Sequence, residues 1–405
     1  MKTIKLGSLI TISKGKKHTP SELPSSQSIR MLGIDDLRND TLIRMTDDKN
    51  GVLACDDDVL IAWDGANAGT IGFGKQGYIG STISRLRLHD TSKYYAPFIG
   101  IFLQSNFSYL RKTSTGATIP HINRNALESI PVPVFTYDDQ IRIATLLSKV
   151  ENLISRRREQ LKQLDELLKS VFLEMFGPTS QHFETWPVVE IKELAAKHKG
   201  AMRTGPFGSN LLHSEFSSMG DVAVMGIDNA VHNRFTWGDQ RFITKEKYKE
   251  LGNYRIFPGD VIITIMGTIG CSAVIPDDIP LAINTKHLAA ITLDKELANP
   301  LFLSYSIHSN PYILKQFKNK NRGAIMNGLN LTLIKETKIS LPPIQFQNKF
   351  ARIHHQIDGM KSSYQQSLIE LNNLYGALSQ KAFKGELDLS MVTPPTQPTN
   401  QQQSC

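Results

Sequence analysis

Residues 150–175 read VENLISRRREQLKQLDELLKSVFLEM, and this stretch decides the fold. Its apolar side chains recur at alternating steps of four and three residues, the spacing of a heptad seam on an α-helix. The same frame returns at residues 357–382 as IDGMKSSYQQSLIELNNLYGALSQKA, an offset of 207 (357 − 150). One polar residue interrupts each seam, Arg157 in the first and Lys361 in the second. The sequence therefore predicts two long, equivalent helices whose seams can pair with each other.

We expect the residues of both seams to be buried between the two helices. They are Val150, Ile154, Leu161, Leu164, Leu168, Val171 and Met175 in the first helix, and Ile357, Tyr364, Leu368, Leu371, Tyr375 and Leu378 in the second. Twenty-six residues at about 1.5 Å each make a rod of about 39 Å. The first helix should stop at Gly177-Pro178, since this pair terminates helices.

Shorter motifs repeat outside the helices. DVLI at 58–61 returns as DVII at 260–263, LGID at 32–35 as MGID at 225–228, and GTIG unchanged from 69–72 to 267–270. Their offsets drift between 193 (225 − 32) and 202 (260 − 58), as loop insertions in a duplicated domain would produce. β-Branched runs at 56–62 and 259–265 predict strands, whereas 96–110 and 300–317 have helical spacing. The fold class is therefore α+β, with two duplicated α/β domains.

Composition limits the class of protein. The 405 residues include 46 Lys and Arg against 38 Asp and Glu, a net charge of +8 that suits a nucleic-acid partner without proving one. No apolar run approaches the roughly 20 residues that cross a bilayer, and no apolar leader opens the chain. The three cysteines lie far apart, so we expect neither a disulfide scaffold nor a cysteine zinc site. A reduced, cytoplasmic protein is expected.

Motifs that carry catalysis are missing from the sequence. It has no G-x-x-x-x-G-K-[ST] loop and no H-E-x-x-H pair, and the glycines at 65–72 do not have the G-x-G-x-x-G spacing. The acidic runs at 56–58 and 276–278 are better explained as turns than as metal ligands. We therefore expect no catalytic residue, no metal site and no cofactor in this chain.

The order of the motifs resembles a known family, the DNA-specificity subunits of type I restriction-modification systems. The first half carries it in GATIPHIN at 116–123, IPVP at 130–133 and Gln140, followed by the long helix. In the second half the carriers are GPFGS at 205–209, RGA at 322–324, LPPI at 341–344 and Gln347, again followed by a helix. GPFGS has no evident counterpart in the first half. The resemblance covers the whole chain except the Pro-, Thr- and Gln-rich tail.

The resemblance implies a non-catalytic subunit that reads a bipartite DNA target. Its domains would be target recognition domains at 1–140 and 178–346, spacer helices at 141–177 and 347–385 that form an antiparallel coiled coil, and a disordered tail at 386–405. It also implies docking of methyltransferase subunits, two in number, on the helices, with motor-nuclease subunits joining in restriction assemblies. S-adenosylmethionine, ATP and Mg²⁺ would then belong to the partner subunits, and there is no membrane partner.

Cations and small polar residues next to glycine-rich loops are the candidate DNA contacts, because phosphates require cations and base edges require hydrogen-bonding groups. In the first half they are Lys14, Lys16, Lys17, Ser81, Thr82, Arg85, Arg111, Lys112, Thr115, Thr118 and His121. In the second half they are Arg203, Thr204, Ser209, Asn210, Asn284, Lys286, His287, Lys320, Arg322 and Asn327. Solvated loops and turns would explain each of these segments almost as well.

Two other functions remain open at this point. A protein–protein scaffold with incidental positive charge would show no sequence preference on DNA. A self-contained DNA-modifying enzyme would bind S-adenosylmethionine by itself. The rod of about 39 Å is close to the ~34 Å helical repeat of DNA, and this favours two half-sites separated by unspecified base pairs.

Overall fold

The computed structural model describes residues 2–39, 42–116, 118–178, 180–181, 183–320 and 328–394, without the side chains of Ser209 and Lys320. The chain divides into two compact units. Unit 1 comprises residues 1–158 and 366–405, and unit 2 comprises residues 159–365. Both divisions fall inside long helices, so each unit contains part of each long helix.

Among its described residues, unit 1 contains ten short strands, three short helices, the first part of one long helix and the end of the other. The strands are β1 (Thr3–Lys5), β2 (Ile10–Lys14), β3 (Ile29–Leu32), β4 (Arg44–Thr46), β5 (Leu53–Ala54), β6 (Asp58–Ala62), β7 (Ile71–Phe73), β8 (Gly77–Ile79), β9 (Ile83–Leu88) and β10 (Pro131–Pro133). The helices are α1 (Ala96–Ser105), α2 (Phe107–Lys112), α3 (Arg124–Glu128) and the long α4 (Tyr137–Phe176).

Unit 2 repeats this order with one extra helix. Its strands are β11 (Val188–Glu190), β12 (Met202–Thr204), β13 (Val222–Met225), β14 (Phe242–Ile243), β15 (Arg255–Ile256), β16 (Val261–Thr264), β17 (Ser272–Val274), β18 (Ala282–Asn284), β19 (Leu288–Ile291) and β20 (Lys338–Ser340). Its helices are the additional α5 (Lys245–Leu251), then α6 (Pro300–Ser309), α7 (Pro311–Lys320), α8 (Leu331–Lys335) and the long α9 (Ile344–Lys384).

The sheets have the same topology in both units. Unit 1 has an antiparallel sheet β2-β9-β6-β7, a mixed sheet β4-β3-β8-β5 and a ribbon β1-β10. Unit 2 has β12-β19-β16-β17, β14-β13-β18-β15 and β11-β20. In each mixed sheet the two central strands, β3 with β8 and β13 with β18, are parallel. The predicted duplication of an α/β domain is therefore confirmed.

The repeated DVLI and DVII motifs are apolar because they form the buried strands β6 and β16, each of which lies between two other strands of its sheet. β6 and β16 are buried along their whole length, because helices cover one face and the mixed sheet covers the other. The aspartate before each apolar run, Asp58 or Asp260, accepts a backbone hydrogen bond from Cys55 or Phe257. The turn role expected for the acidic run at 56–58 is thus present at Asp58, and Asp260 has the same role.

A buried glutamine joins each long helix to its own unit. Gln140 accepts a hydrogen bond from the Tyr95 amide at 2.9 Å and donates to two carbonyls, those of Lys93 and Phe135. Gln347 makes the equivalent bonds with Asn299, Leu297 and Pro342 in unit 2. Both side chains are almost completely buried, and each one satisfies three backbone groups. This explains why glutamine repeats at an offset of 207 (347 − 140).

The long helices pack antiparallel, as predicted. In unit 1 the beginning of α4 packs with the end of α9, and in unit 2 the end of α4 packs with the beginning of α9. All thirteen seam residues are buried or half-buried. The polar residue in the second seam, Lys361, forms an ion pair with Asp165.

The burial pattern departs from strict heptads near the end of α4. After Leu164 and Leu168 the fully buried positions are Phe172 and Phe176, whereas Val171 and Met175 are half-buried. An α-helix has 3.6 residues per turn rather than 3.5, so its buried face drifts relative to a heptad frame. The two phenylalanines join an aromatic cluster with Phe302 and Phe350.

One smaller expectation needs correction. The helical stretches at 96–110 and 300–317 are each two helices, broken at Asn106 and Asn310. His354, on the second long helix, is half-buried against Tyr305 and Phe350. Burial lowers its pKa to about 4. In the described part of the chain, no helix is long and apolar enough to cross a membrane.

Candidate nucleic-acid interface

Four loop segments of unit 1 meet at one end of the sheet β2-β9-β6-β7. The Gly15 amide donates to the Ile83 carbonyl at 2.9 Å, which fixes the loop after β2 beside the β8–β9 turn. The Trp63 amide donates to Thr82 at 2.7 Å, and Ile122 donates to Trp63 at 2.9 Å. Backbone hydrogen bonds thus join segments 14–17, 63–68, 80–82 and 113–122. We call this surface the loop edge of unit 1.

A carboxylate organises two of the predicted contact residues there. Asp64 lies 2.8 Å from the Lys14 ammonium and 2.6 Å from the His121 ring. Burial raises the pKa of Asp64, but the hydrogen bonds from Lys14 and His121 outweigh burial, so its pKa lies below the ordinary value. Asp64 was missed from the sequence because only the fold brings segments 14, 64 and 121 together.

The other candidates in unit 1 differ in how available they are. Lys16, Lys17, Ser81, Thr82, Lys112, Thr115 and Thr118 are exposed. The Arg111 guanidinium donates to the Ala66 carbonyl at 3.0 Å, and therefore supports the 63–68 segment. The loop edge consequently presents lysines and hydroxyl groups on a framework held by Asp64 and Arg111.

Unit 2 builds the same edge from different side chains. The Ile265 amide donates to His287 at 2.9 Å, and Leu329 donates to Ile265 at 2.9 Å, which repeats the Trp63–Thr82 and Ile122–Trp63 bonds. The loop edge of unit 2 therefore comprises segments 204–211, 265–268, 285–287 and 328–329.

Glycine marks the equivalence of the first loops. A Cβ on Gly15 would lie 2.3 Å from the Gly80 carbonyl, and one on Gly205 would lie 2.2 Å from the Asn284 carbonyl. Each loop thus passes so close to the neighbouring turn that only glycine fits. The GPFGS segment at 205–209 does have a counterpart in the first half, the segment that starts at Gly15. Where unit 1 has the lysine pair Lys16-Lys17, unit 2 has Pro206-Phe207.

The unit 2 edge places Thr204, Asn210, Lys286 and His287 within these segments, with Asn210 and Lys286 exposed. Burial, together with the charges of Lys286 and His213, lowers the pKa of His287. A neutral imidazole at pH 7 offers one donor and one acceptor, which suits a base edge. The side chains of Ser209 and Lys320, and the whole of Arg322 and Asn327, lie outside the described residues.

Two predicted arginines have structural roles instead. Arg85 donates to the Leu53 carbonyl at 2.6 Å, and Arg203 donates to the equivalent carbonyl of Arg255 at 2.6 Å. The two arginines reach equivalent places from neighbouring strands, β9 in unit 1 and β12 in unit 2. Arg203 is buried and also forms an ion pair with Asp260. Both arginines therefore hold the fold together and are not available as the DNA contacts predicted for them.

Asn284 is also removed from the proposed contacts. Its side chain is fully buried and donates to the Leu288 carbonyl at 3.1 Å, which closes the β18–β19 turn. A cavity of about 320 Å³ lies beside this turn, lined in part by Pro206, Arg241 and Thr285. This cavity could not be predicted from the sequence, because its walls come from segments up to 81 residues apart (287 − 206). No three His, Cys, Asp or Glu side chains gather as a metal site anywhere in the described ranges.

The duplicated edges, which present hydrogen-bonding groups and cations on one backbone framework, define a two-module binding protein. The protein-family model of the type I restriction modification DNA specificity domain matches residues 1–164 and 183–373 of this chain. This chain therefore belongs to the type I restriction-modification DNA specificity family. The family is the non-catalytic, target-recognising part of the restriction-modification enzyme, so the reading as a self-contained enzyme is set aside.

Individual relatives agree with this family. The chain is 24% identical over 363 residues to the type I restriction enzyme MjaVIII specificity subunit of Methanocaldococcus jannaschii, covering 84% of this chain and 80% of that protein. It is 20% identical over 352 residues to the EcoBI specificity subunit of Escherichia coli, covering 82% and 74%. Its fold is similar to the crystal structure of the type I restriction-modification S subunit from M. genitalium, with a TM-score of 0.60, 17% identity and coverage of 94% and 96%.

Proposed function

We propose that each unit reads one half of a bipartite duplex DNA target with the side chains of its loop edge. The observation that carries this proposal is that one backbone framework occurs twice with different side chains. Lys16, Lys17, Ser81 and Thr82 in unit 1 are replaced by Pro206, Phe207, Lys286 and His287 in unit 2. Two different half-sites require this combination of constant framework and variable surface.

The chemistry of each edge suits a division of tasks. Lysines such as Lys16, Lys17 and Lys286 fit phosphate contacts, which supply affinity without sequence information. Thr82, His121 and His287 carry groups that donate or accept, which base edges in the major groove require. This activity would take place in the cytoplasm, where DNA is accessible.

Selection from a randomised duplex library tests the proposal. The chain, purified with its methyltransferase partner, should enrich two short specified sequences separated by a constant number of unspecified base pairs. If the selected duplexes showed no sequence preference, the result would instead support the alternative function, a protein–protein scaffold.

Exposed apolar side chains on the long helices indicate where partners dock. Unit 1 exposes Leu153 from α4 and Leu374 from α9, with exposed fractions of 50% and 46%. Unit 2 exposes their duplicates, Met360 at 46% and Leu167 at 49%. Each residue and its duplicate in the other unit are separated by the same offset of 207 (360 − 153 and 374 − 167). Two equivalent apolar sites fit two identical partners, and we infer two methyltransferase subunits, one for each pair.

Binding energy at such sites concentrates in a few apolar anchors. Replacing Leu153 and Leu374 with arginine should therefore reduce the bound methyltransferase from two copies to one, measured by native mass spectrometry. The same change at Met360 and Leu167 should have the same effect, and all four changes together should abolish binding. Gln160→Arg, an exposed polar position on α4, is the matched control. Two bound copies in the fourfold variant would contradict this docking site.

Helix length should determine the unspecified gap in the target. Deleting residues 155–161 and 362–368 removes one heptad from each helix and keeps the seam in register. Seven residues correspond to about 10.5 Å of helix, the length of about three base pairs. Mapping methylated sites should show a gap shortened by up to about three base pairs. An unchanged gap would rule out the spacer role.

The cofactors follow from this arrangement. We propose that S-adenosylmethionine is bound by the methyltransferase subunits, and that ATP and Mg²⁺ are used by motor-nuclease subunits when these join the complex. This chain would then contribute target choice alone.

A further inference from the structure

A cavity lies at the loop edge of unit 2, and its lining includes two of the proposed DNA contacts, Lys286 and His287. Its volume of about 320 Å³ lies at the lower end of the range of ligand pockets, about 300–1,000 Å³. Its apolar wall is formed by Pro206, Leu211, Phe216 and Ile227. The remaining lining is polar and comes from His213, Asp228, Arg241, Thr285, Lys286 and His287. The cavity therefore joins flat apolar surface to hydrogen-bonding groups.

Two polar atoms in this lining have no partner. Among the described residues, neither the Thr285 hydroxyl nor the Arg241 Nε makes a hydrogen bond, although both atoms are buried. Asp228 is already engaged, since it accepts from Arg241 and from the Asp239 amide. A buried hydroxyl and a buried N–H are costly to leave unpaired, so a side-chain rotation that brings either group to a ligand in the cavity would gain affinity.

The lining suits a flat heteroaromatic group because most of its surface is apolar. The Asp228 carboxylate is paired with Arg241, and the apolar wall and the Phe216 ring would stack against a flat ring. Burial and the neighbouring cations lower the pKa of His287, so its neutral ring can donate and accept. Lys286 is exposed and can reach a phosphate outside the cavity.

An exposed aromatic residue adjoins the cavity lining along the chain. Phe207 follows the lining residue Pro206, and its exposed fraction is 54%. Gly205 holds the loop against the β18–β19 turn, and Gly208 follows with φ of +64°. At the equivalent places of unit 1 stand Lys16 and Lys17. Unit 2 therefore has an exposed aromatic residue next to the cavity lining in the chain, where unit 1 has a lysine.

We propose that unit 2 takes one base of its half-site out of the duplex into this cavity, while Phe207 enters the vacated place in the base stack. The inference rests on the proposed function, because it requires unit 2 to bind DNA. Pairing in the cavity and stacking on Phe207 offset the cost of unpairing the base. The half-site of unit 1 should keep all its bases stacked.

The probe is 2-aminopurine, which fluoresces when it leaves the stack. Duplexes that contain the selected target carry it at one position at a time, and the full chain is tested alone and with its methyltransferase partner. We expect fluorescence to rise about threefold or more at one position of the unit 2 half-site, other than the base that the partner methylates. Phe207→Ala should abolish this rise and weaken binding about tenfold. Tyr312→Ala, an exposed aromatic on α7, should leave both unchanged.

A mismatch at the same position separates this inference from a general loss of binding. A base that is already unpaired costs less to extrude, so the mismatch should restore most of the affinity lost in Phe207→Ala. Thr285→Val should weaken binding to the paired and the mismatched duplex alike. Sequence-selective binding without any fluorescence rise would overturn this inference and leave the proposed function intact. Absence of any sequence preference would overturn both.

Discussion

Arg203→Met should lower the free energy of unfolding of the chain by about 3–5 kcal/mol. Arg203 is buried beside Asp260, donates to the carbonyls of Arg255 and Gly200, and contacts the Thr292 hydroxyl at 3.0 Å. Removing the guanidinium leaves the Asp260 charge buried with only neutral partners, and this causes most of the expected loss.

Urea denaturation followed by tryptophan fluorescence measures this effect, because Trp186 and Trp237 report on unit 2 and Trp63 on unit 1. Adding Asp260→Asn to Arg203→Met should recover part of the stability, since it removes the unpaired charge. Lys286→Met is the matched control: it removes an exposed cation of the same unit and should change stability by less than about 0.5 kcal/mol. A change below about 1 kcal/mol in Arg203→Met would contradict the structural role.

The double variant Lys16→Glu and Lys17→Glu should weaken binding to all DNA sequences by about 100-fold at moderate salt. Both lysines are exposed on the loop edge of unit 1, where we propose that they contact phosphates. The slope of log affinity against log salt should become shallower by about 1.8, because two phosphate contacts are lost at about 0.9 each. The preferred sequence should stay the same, since phosphates carry no sequence information.

Fluorescence anisotropy over a range of salt concentrations, with the methyltransferase partner present, measures both quantities. Lys2→Glu with Lys5→Glu changes the charge of unit 1 by the same amount at exposed positions on or beside β1, outside the loop edge. That control should keep the salt slope. If both double variants lose affinity equally, the effect comes from net charge, and the loop edge has no special role.

The duplication and the paired helices could be predicted because both leave periodic marks in the sequence. The heptad seam and the offset of 207 depend only on spacing along the chain, and the structure confirms the two paired helices that they predicted. The antiparallel direction, which the structure also confirms, was implied by the family resemblance. The repeated glutamines were visible as well, although their role in binding three backbone groups required the fold.

The candidate site could be predicted only in part. Loops at Lys14 and Thr82 were recognised from composition, and the structure brings them together. The roles of Arg85 and Arg203 could not be recognised, because they depend on which strands are neighbours and in which register. Asp64 and the cavity of unit 2 were missed for the same reason, since their partners are distant in sequence.

Substituting residues of one loop edge at a time tests the central claim most directly. Methylated sites are mapped for complexes that carry Ser81→Ala with Thr82→Ala, or Lys286→Ala with His287→Ala. The first pair should change the sequence of one half-site, the second pair should change the other, and the gap should stay constant in both. Half-sites that change together, or a target that neither pair alters, would contradict an assignment of one half-site to each loop edge.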